Sequence, residues 1–370
     1  YQWYKNTENN SENGTLIPGA TKDSYIPPIP DDGTMYYYCK VKTKRLENWF
    51  DSFYSEEICS DVAAMTAVDE PFPWEGNGTE ESPYLIQNLS DLEALQKKVN
   101  EDGFDFYGSN FSLKEDINLP SDWKPIGTIQ PGNTSTGNGK YIWPFSGILN
   151  GEGHTVTVAT NGKPLFNYVR DAVIENLNLL GEQINGYGLV DRYTVDYGPD
   201  GIYNTGCPDA VTIRNVTLKS GMSTKKAGLI GGYASGANSI VIENCKGTLI
   251  DIKADNVTVQ NCVIRCGDSA VYSNGYRNKI LNNEIYHTGS TAINLLGGDI
   301  INLIPSNSVI SNNRIHDFGD ISRVYAGAIY AAGIGFKISH NEIYHAPHTG
   351  MQNLAMEMIV EYNYFHDLCY

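Results

Sequence analysis

Residues 282–287 read NNEIYH, 312–317 NNRIHD, 340–345 HNEIYH and 362–367 YNYFHD. An amphipathic helix would repeat its apolar residues at three and four, and this pattern instead returns every twenty to thirty residues. The underlying template is Ile or Val, any residue, one or two Asn, any residue, then an apolar residue. Its anchors are Ile174, Ile213, Ile242, Val259, Ile280, Ile310, Ile338 and Val360, with gaps of 39, 29, 17, 21, 30, 28 and 22 residues. A coil of three short strands needs about 17–22 residues, and inserted loops account for the longer gaps. Helical repeats need about 33–47 residues with helical periodicity, and no 10–15-residue helical segment separates these strands. The spacing predicts an all-β parallel β-helix.

Stacking explains the individual letters. Ile285, Ile315, Ile343 and Phe365, five residues after their anchors, are expected to point inward. Asn283, Asn313, Asn341 and Asn363 sit at a bend where Asn tolerates left-handed backbone, and each amide can bond the Asn of the next coil. Alternation then turns Arg265, Tyr286, His316, Tyr344 and His366 outward. In the following strand Val271, Ile293, Ile329 and Met351 point in, leaving Tyr272, Asn294, Tyr330 and Gln352 outside. Two stripes of Tyr, His, Asn, Gln and Arg on one side suit an extended glycan, because rings cover sugar faces and amides bond hydroxyls. The competing reading is a cross-strand ladder that only stabilises the sheet. The insertions 297–308 and 318–327 beside these columns favour binding.

One position further, Cys266, His287, Asp317, His345 and Asp367 form a stack that reads either as metal ligands or as bend residues capping backbone N–H groups. The bend reading is adopted, and no metal or cofactor is expected. Asp268, Asp299, Asp317 and Asp320 are the available carboxylates for acid–base chemistry, with no pair placed at a glycosidase separation.

The 370-residue chain carries a net charge of −17, which argues against a nucleic-acid or anionic-membrane partner. No apolar run approaches the length of a membrane span. Seven cysteines without a Cys-x-x-Cys pair, 25 Tyr and 37 Gly fit a secreted or surface-attached protein that meets carbohydrate. Cys245 and Cys262 share a template position one short coil apart, which permits a disulfide or a column of packed thiols.

The remaining segments divide the chain at 1–68, 69–83 and 84–370. In 1–68, the stretches YQWYKN and GTMYYYCKV resemble a bacterial immunoglobulin-like domain, with Trp3 as core tryptophan and a tyrosine-corner strand. Such a module serves as sugar binder or spacer, and Cys39 and Cys59 would lie on neighbouring strands. DEPFPWEGNGTEESP (69–83) reads as a linker. LSDLEALQKKV then predicts a short helix with a Ser90–Glu93 capping box and a Leu92, Leu95, Val99 stripe, covering the open end of the coil. Both chain ends look cut within structural units, and the full-length protein is expected to be a monomer.

The segment NNRIHDFGDISRVYAGAIYAAGIGFKISHNEIYHAPHTGM (312–351) resembles β-helix glycoside hydrolases around family 141, which include α-L-fucosidases and xylan-cleaving enzymes. The resemblance is strong over 257–370 and generic over 130–256. It implies that His316, Arg323, Tyr325, His345 and His348 line a cleft, and that catalytic carboxylates follow the segment ending at Tyr370. Hydrolysis of a plant or host glycan by two carboxylates is the expectation. A uronate lyase or epimerase and a non-catalytic glycan-binding stalk are the rivals.

Overall fold

The computed structural model describes residues 1–23, 25, 27, 30, 33–46, 53–66, 72–131, 140–159, 162–181, 189–193, 210–219, 228–230, 239–247 and 249–369. They divide into two units, Tyr1–Pro73 and Trp74–Tyr370.

In the first unit the strands Gln2–Asn6, Thr15–Leu16, Thr34–Leu46, Phe53–Cys59 and Ala63–Thr66 form one antiparallel sheet. Alternation buries Tyr38 against Tyr4, whose rings stack at 5.3 Å, and the Tyr38 hydroxyl accepts from the Gly14 N–H. An immunoglobulin-like sandwich packs two sheets, and the described residues supply one. Trp3 is half-buried, its indole N–H donating to the Lys22 carbonyl. Cys39 is buried, Cys59 is exposed, and both are free thiols; it is Lys40 that stands opposite Cys59.

The second unit begins inside the segment read as a linker. Trp74 is buried against Tyr84, Phe106 and Phe111, and its indole N–H donates to the Asp91 carbonyl. The helix Leu89–Asn100 follows, with Leu92, Leu95 and Val99 buried as expected. Its cap differs from the Ser90–Glu93 expectation. Asn88 accepts from the Asp91 N–H, and Asp91 accepts in return from the Gln87 N–H. The cap sits two residues earlier than Ser90 because Leu89 and Ser90 are already helical, and the return bond reaches Gln87, one residue before the Asn88 cap.

Beyond the helix, three parallel sheets run the length of the unit, of eleven, ten and eight described strands. Each coil gives one strand to each sheet, as in Lys279–Leu281, Glu284–Thr288 and Ile293–Gly297. All eight anchors stack in register in the first sheet, preceded by Leu149 and Phe111. Ile285, Ile315 and Ile343 stack inside the second sheet. Only the last coil leaves its column exposed, at Val360 and Phe365.

The first bend resolves the Asn pattern into two jobs. The residue two after the anchor takes the left-handed backbone, with φ near 57° at Asn282 and Asn312 and 58° at His340. The next Asn is buried and forms a ladder. Asn283 Nδ2 donates to Asn313 Oδ1 (2.9 Å), Asn313 to Asn341 (2.9 Å) and Asn341 to Asn363 (2.8 Å). Cys245 and Cys262 precede Asn283 in this column, as buried free thiols. The Cys245 thiol, bonded to Cys262 and enclosed, is held far above the ordinary range. At the bend leaving the third sheet, Gly275, Gly297 and Gly333 stack so closely that a Cβ on Gly297 would meet the Gly275 carbonyl oxygen at 2.2 Å.

Candidate functional site

The outward residues occupy two sheets, and this separates the stripes that the sequence placed on one side. Arg265, Tyr286, His316 and Tyr344 are in register on the second sheet. Tyr272, Asn294, Tyr330 and Gln352 are in register on the third.

The second-sheet stripe is a closed stack. Tyr286 and His316 lie 5.2 Å apart at 2°, His316 and Tyr344 4.9 Å at 15°, and Tyr344 and His366 4.8 Å at 9°. Rings that face one another have no face left for a sugar. Tyr344 is buried outright, with the Arg314 guanidinium 5.3 Å from its ring, and burial pushes its phenol pKa up. Tyr286, His316 and Tyr344 therefore turn their ring faces to one another along the sheet. Replacing Tyr344 by Ala is expected to cost about 3 kcal/mol, as for other buried aromatics, with glycan affinity unchanged. Thermal unfolding and a binding isotherm on the same variant check this; lost affinity at unchanged stability would return the ladder to the site.

The adjacent bend uses up most of the sequence-predicted acids. Residues His287, Asp317, His345 and Asp367 all have φ between 47° and 52°, as expected of bend positions. Asp317 accepts from His316 Nδ1 (2.7 Å) and lies 3.8 Å from His345 Nδ1. Asp320 meets His287 Nδ1 at 3.2 Å. Asp299 closes its own loop by accepting from Asn302 and Ile301, and the Asn302 side chain above all holds its carboxyl below the usual range. Among the described residues no group of three His, Cys, Asp or Glu is arranged to hold a metal ion.

The third sheet is different. Tyr272 and Tyr330 are half-exposed and stack on no other ring among the described residues. A second outward row, Asn274, Leu296, Ala332 and Leu354, runs beside them. Insertions border both edges of this sheet. Residues 319–326 leave Arg314–Phe318 and fold back onto the preceding coil, Asp320 and Ile321 N–H donating to Thr288 and Gly289 carbonyls. Residues 298–307 join Ile293–Gly297 to the next coil and close on themselves through Asp299 and Ile304. We call the strip of the third sheet between these two insertions the trough. Asn294 donates to Ser269 from the neighbouring bend, where Asp268 stands exposed. Arg323 and Tyr325 are exposed on the 319–326 loop, and the Tyr325 ring lies 5.5 Å from His348.

The row also contains a residue that the sequence reading passed over. Asp251 is in register with Tyr272, one coil earlier, and is largely covered; Lys253 Nζ lies 3.6 Å from its carboxylate. The alternation LIDIK (249–253) carries this information, with Ile250 and Ile252 inward and Asp251 and Lys253 outward. It escapes notice because the outward column of the third strand is read only from Val271 onward.

Residues 248–368 match the family of right-handed β-helix regions. The chain is 29% identical over 144 residues to a Gly-rich membrane protein of Evansella cellulosilytica, covering 33% of this chain and 15% of that protein. It is 28% identical over 197 residues to halomucin of Haloquadratum walsbyi, covering 50% of this chain and 2% of halomucin. The chain thus spans a small part of the curated relatives it matches. Among solved structures, the A-module of a mannuronan C-5 epimerase from Azotobacter vinelandii superposes with a TM-score of 0.51 at 15% identity, covering 80% of this chain and 75% of the module. No helix among the described residues is long and apolar enough to cross a membrane. The second unit is a right-handed parallel β-helix.

Proposed function

We propose that the β-helix binds an extended polysaccharide along the trough of the third sheet and processes it there. One observation carries this reading: Asp251, Tyr272, Asn294 and Tyr330 stand in register on four successive coils, between two insertions. Three strand spacings give the row a length of about 14 Å, on the scale of a short oligosaccharide. Its rings have faces to offer, and Leu296 and Ala332 extend the apolar floor. A protein with this role works outside the cell, secreted or surface-attached.

The chemistry we assign is acid–base work on a uronate. Two-carboxylate hydrolysis, implied by the family-141 resemblance, needs acids about 5–5.5 or 6.5–9.5 Å apart. Among the described residues the row holds one carboxylate, Asp251. A cation beside a carboxylate suits a substrate that is itself an anion: Lys253 faces the uronate carboxylate while Asp251 takes the proton on the adjacent carbon. Elimination then expels the glycosidic oxygen, which takes a proton from water as the double bond forms; epimerisation instead takes a proton from water on the opposite face. The epimerase superposition supports the fold; the chemistry rests on Asp251 and Lys253.

The test is to incubate the whole chain with polymannuronate, polygalacturonate and xylan. An ultraviolet-absorbing unsaturated end or an altered epimer ratio on a uronate polymer is the expected result. Saturated reducing ends, abolished by Asp268→Asn as well as by Asp251→Asn, would replace this reading with hydrolysis. Tyr330→Ala is expected to weaken oligosaccharide binding by about 1–3 kcal/mol with little change in melting temperature, as for a central aromatic anchor. Calorimetric titration checks this.

A further inference from the structure

The 319–326 insertion ends on a backbone conformation that its sequence alone does not favour. Tyr325 has φ 59°, in the left-handed region that bulky residues avoid. Strain of this kind persists only where surrounding contacts fix it. Two side chains of the next coil supply those contacts. Gln352 Nε2 donates to the Tyr325 carbonyl, and the His348 ring packs on the Tyr325 ring at 5.5 Å and 52°. His348 Nδ1 is enclosed with no hydrogen-bond partner among the described residues, so ring packing orients this imidazole. Yet Tyr325 remains 78% exposed, although the next residue, Ala326, is fully buried. A ring fixed in place from below and left open above is organised for something absent from the free chain.

We propose that Tyr325 is a glycan-contacting ring at the edge of the trough, and that Gln352 and His348 are its positioning residues. This rests on the trough reading above. It reassigns Gln352, whose amide is engaged by the Tyr325 carbonyl and does not face ligand hydroxyls. The trough thereby gains an aromatic wall at the coil where its ring-and-amide row ends. Holding the ring in advance removes the ordering cost that a mobile loop would add to binding.

The experiment uses the whole chain, with hydrogen exchange read first and without ligand. Gln352→Leu removes the donor at similar volume, and is expected to speed amide exchange across 319–326 while leaving the melting temperature unchanged. In titrations with polygalacturonate and xylan fragments, Gln352→Leu and Tyr325→Ala should each raise Kd about tenfold, the scale of a lost aromatic contact. Tyr325→Phe should bind as the wild type. Unchanged exchange in Gln352→Leu would overturn the positioning role, and wild-type affinity in Tyr325→Ala would overturn the ligand role. Absence of binding by the wild type itself would sink the trough reading and Tyr325's ligand role together. The exchange result would then still decide whether Gln352 holds the loop.

Discussion

Asp251→Asn is expected to abolish turnover while leaving polysaccharide binding nearly intact. The substitution keeps the shape of the side chain and its capacity to accept hydrogen bonds, and it removes the ability to take a proton. General-base catalysis by a positioned side chain contributes about 10²–10⁴-fold, so turnover should fall by about that factor. Lys253→Met should act differently. Loss of the ammonium 3.6 Å from Asp251 weakens attraction for a uronate carboxylate, so KM should rise with a smaller change in kcat. On a neutral polysaccharide the same variant should show no such rise. Full activity of Asp251→Asn on every uronate polymer would remove this residue from the chemistry.

Asn313→Ala should be among the most destabilising single changes in the β-helix. Its amide donates to the Ile280 carbonyl (2.9 Å) and to Asn341 Oδ1, and its oxygen accepts from both the backbone N–H and the amide of Asn283. All of this occurs in a buried bend where water cannot take over. Each buried polar group left without a partner costs about 1–3 kcal/mol, and removal of Asn313 deprives several at once. A loss of about 3–5 kcal/mol follows, or on the order of 10 °C in melting temperature for a unit of this size. Asn363→Ala is the control. Among the described residues it is the last rung of the ladder, half-exposed and donating to the Ile338 carbonyl but to no further Asn, and it should cost much less. Equal effects of the two changes in a melting experiment would show that the ladder does not act through burial.

These two predictions draw on different layers of information. The ladder was legible in the letters, because a period of 17–30 residues with Asn at a fixed offset admits few architectures, and stacking identical positions brings like side chains together. The anchors Ile280, Ile310 and Ile338, the inward Ile285, Ile315 and Ile343, and the Asn column all lie where alternation put them. Alternation also says which residues face out. It does not say which outward residues are available. Tyr286 and Tyr272 look alike in sequence, yet one ring faces His316 and the other faces no ring among the described residues.

What the sequence by itself determined is the repeat, its inward columns, its bends and the set of side chains left outside. Those properties depend on contacts between equivalent positions of neighbouring coils, and a periodic sequence specifies them locally. The tertiary structure decided which outward stripe keeps its ring faces open. That depends on which sheet each strand joins, how far rings on adjacent coils close on one another, and on which edges the insertions at 298–307 and 319–326 emerge. It also decided that Asp251 belongs to the row of Tyr272 and Tyr330, one coil before the outward column that the sequence analysis followed. Register between strands is set by the packing of the whole core, and no spacing in the sequence records it.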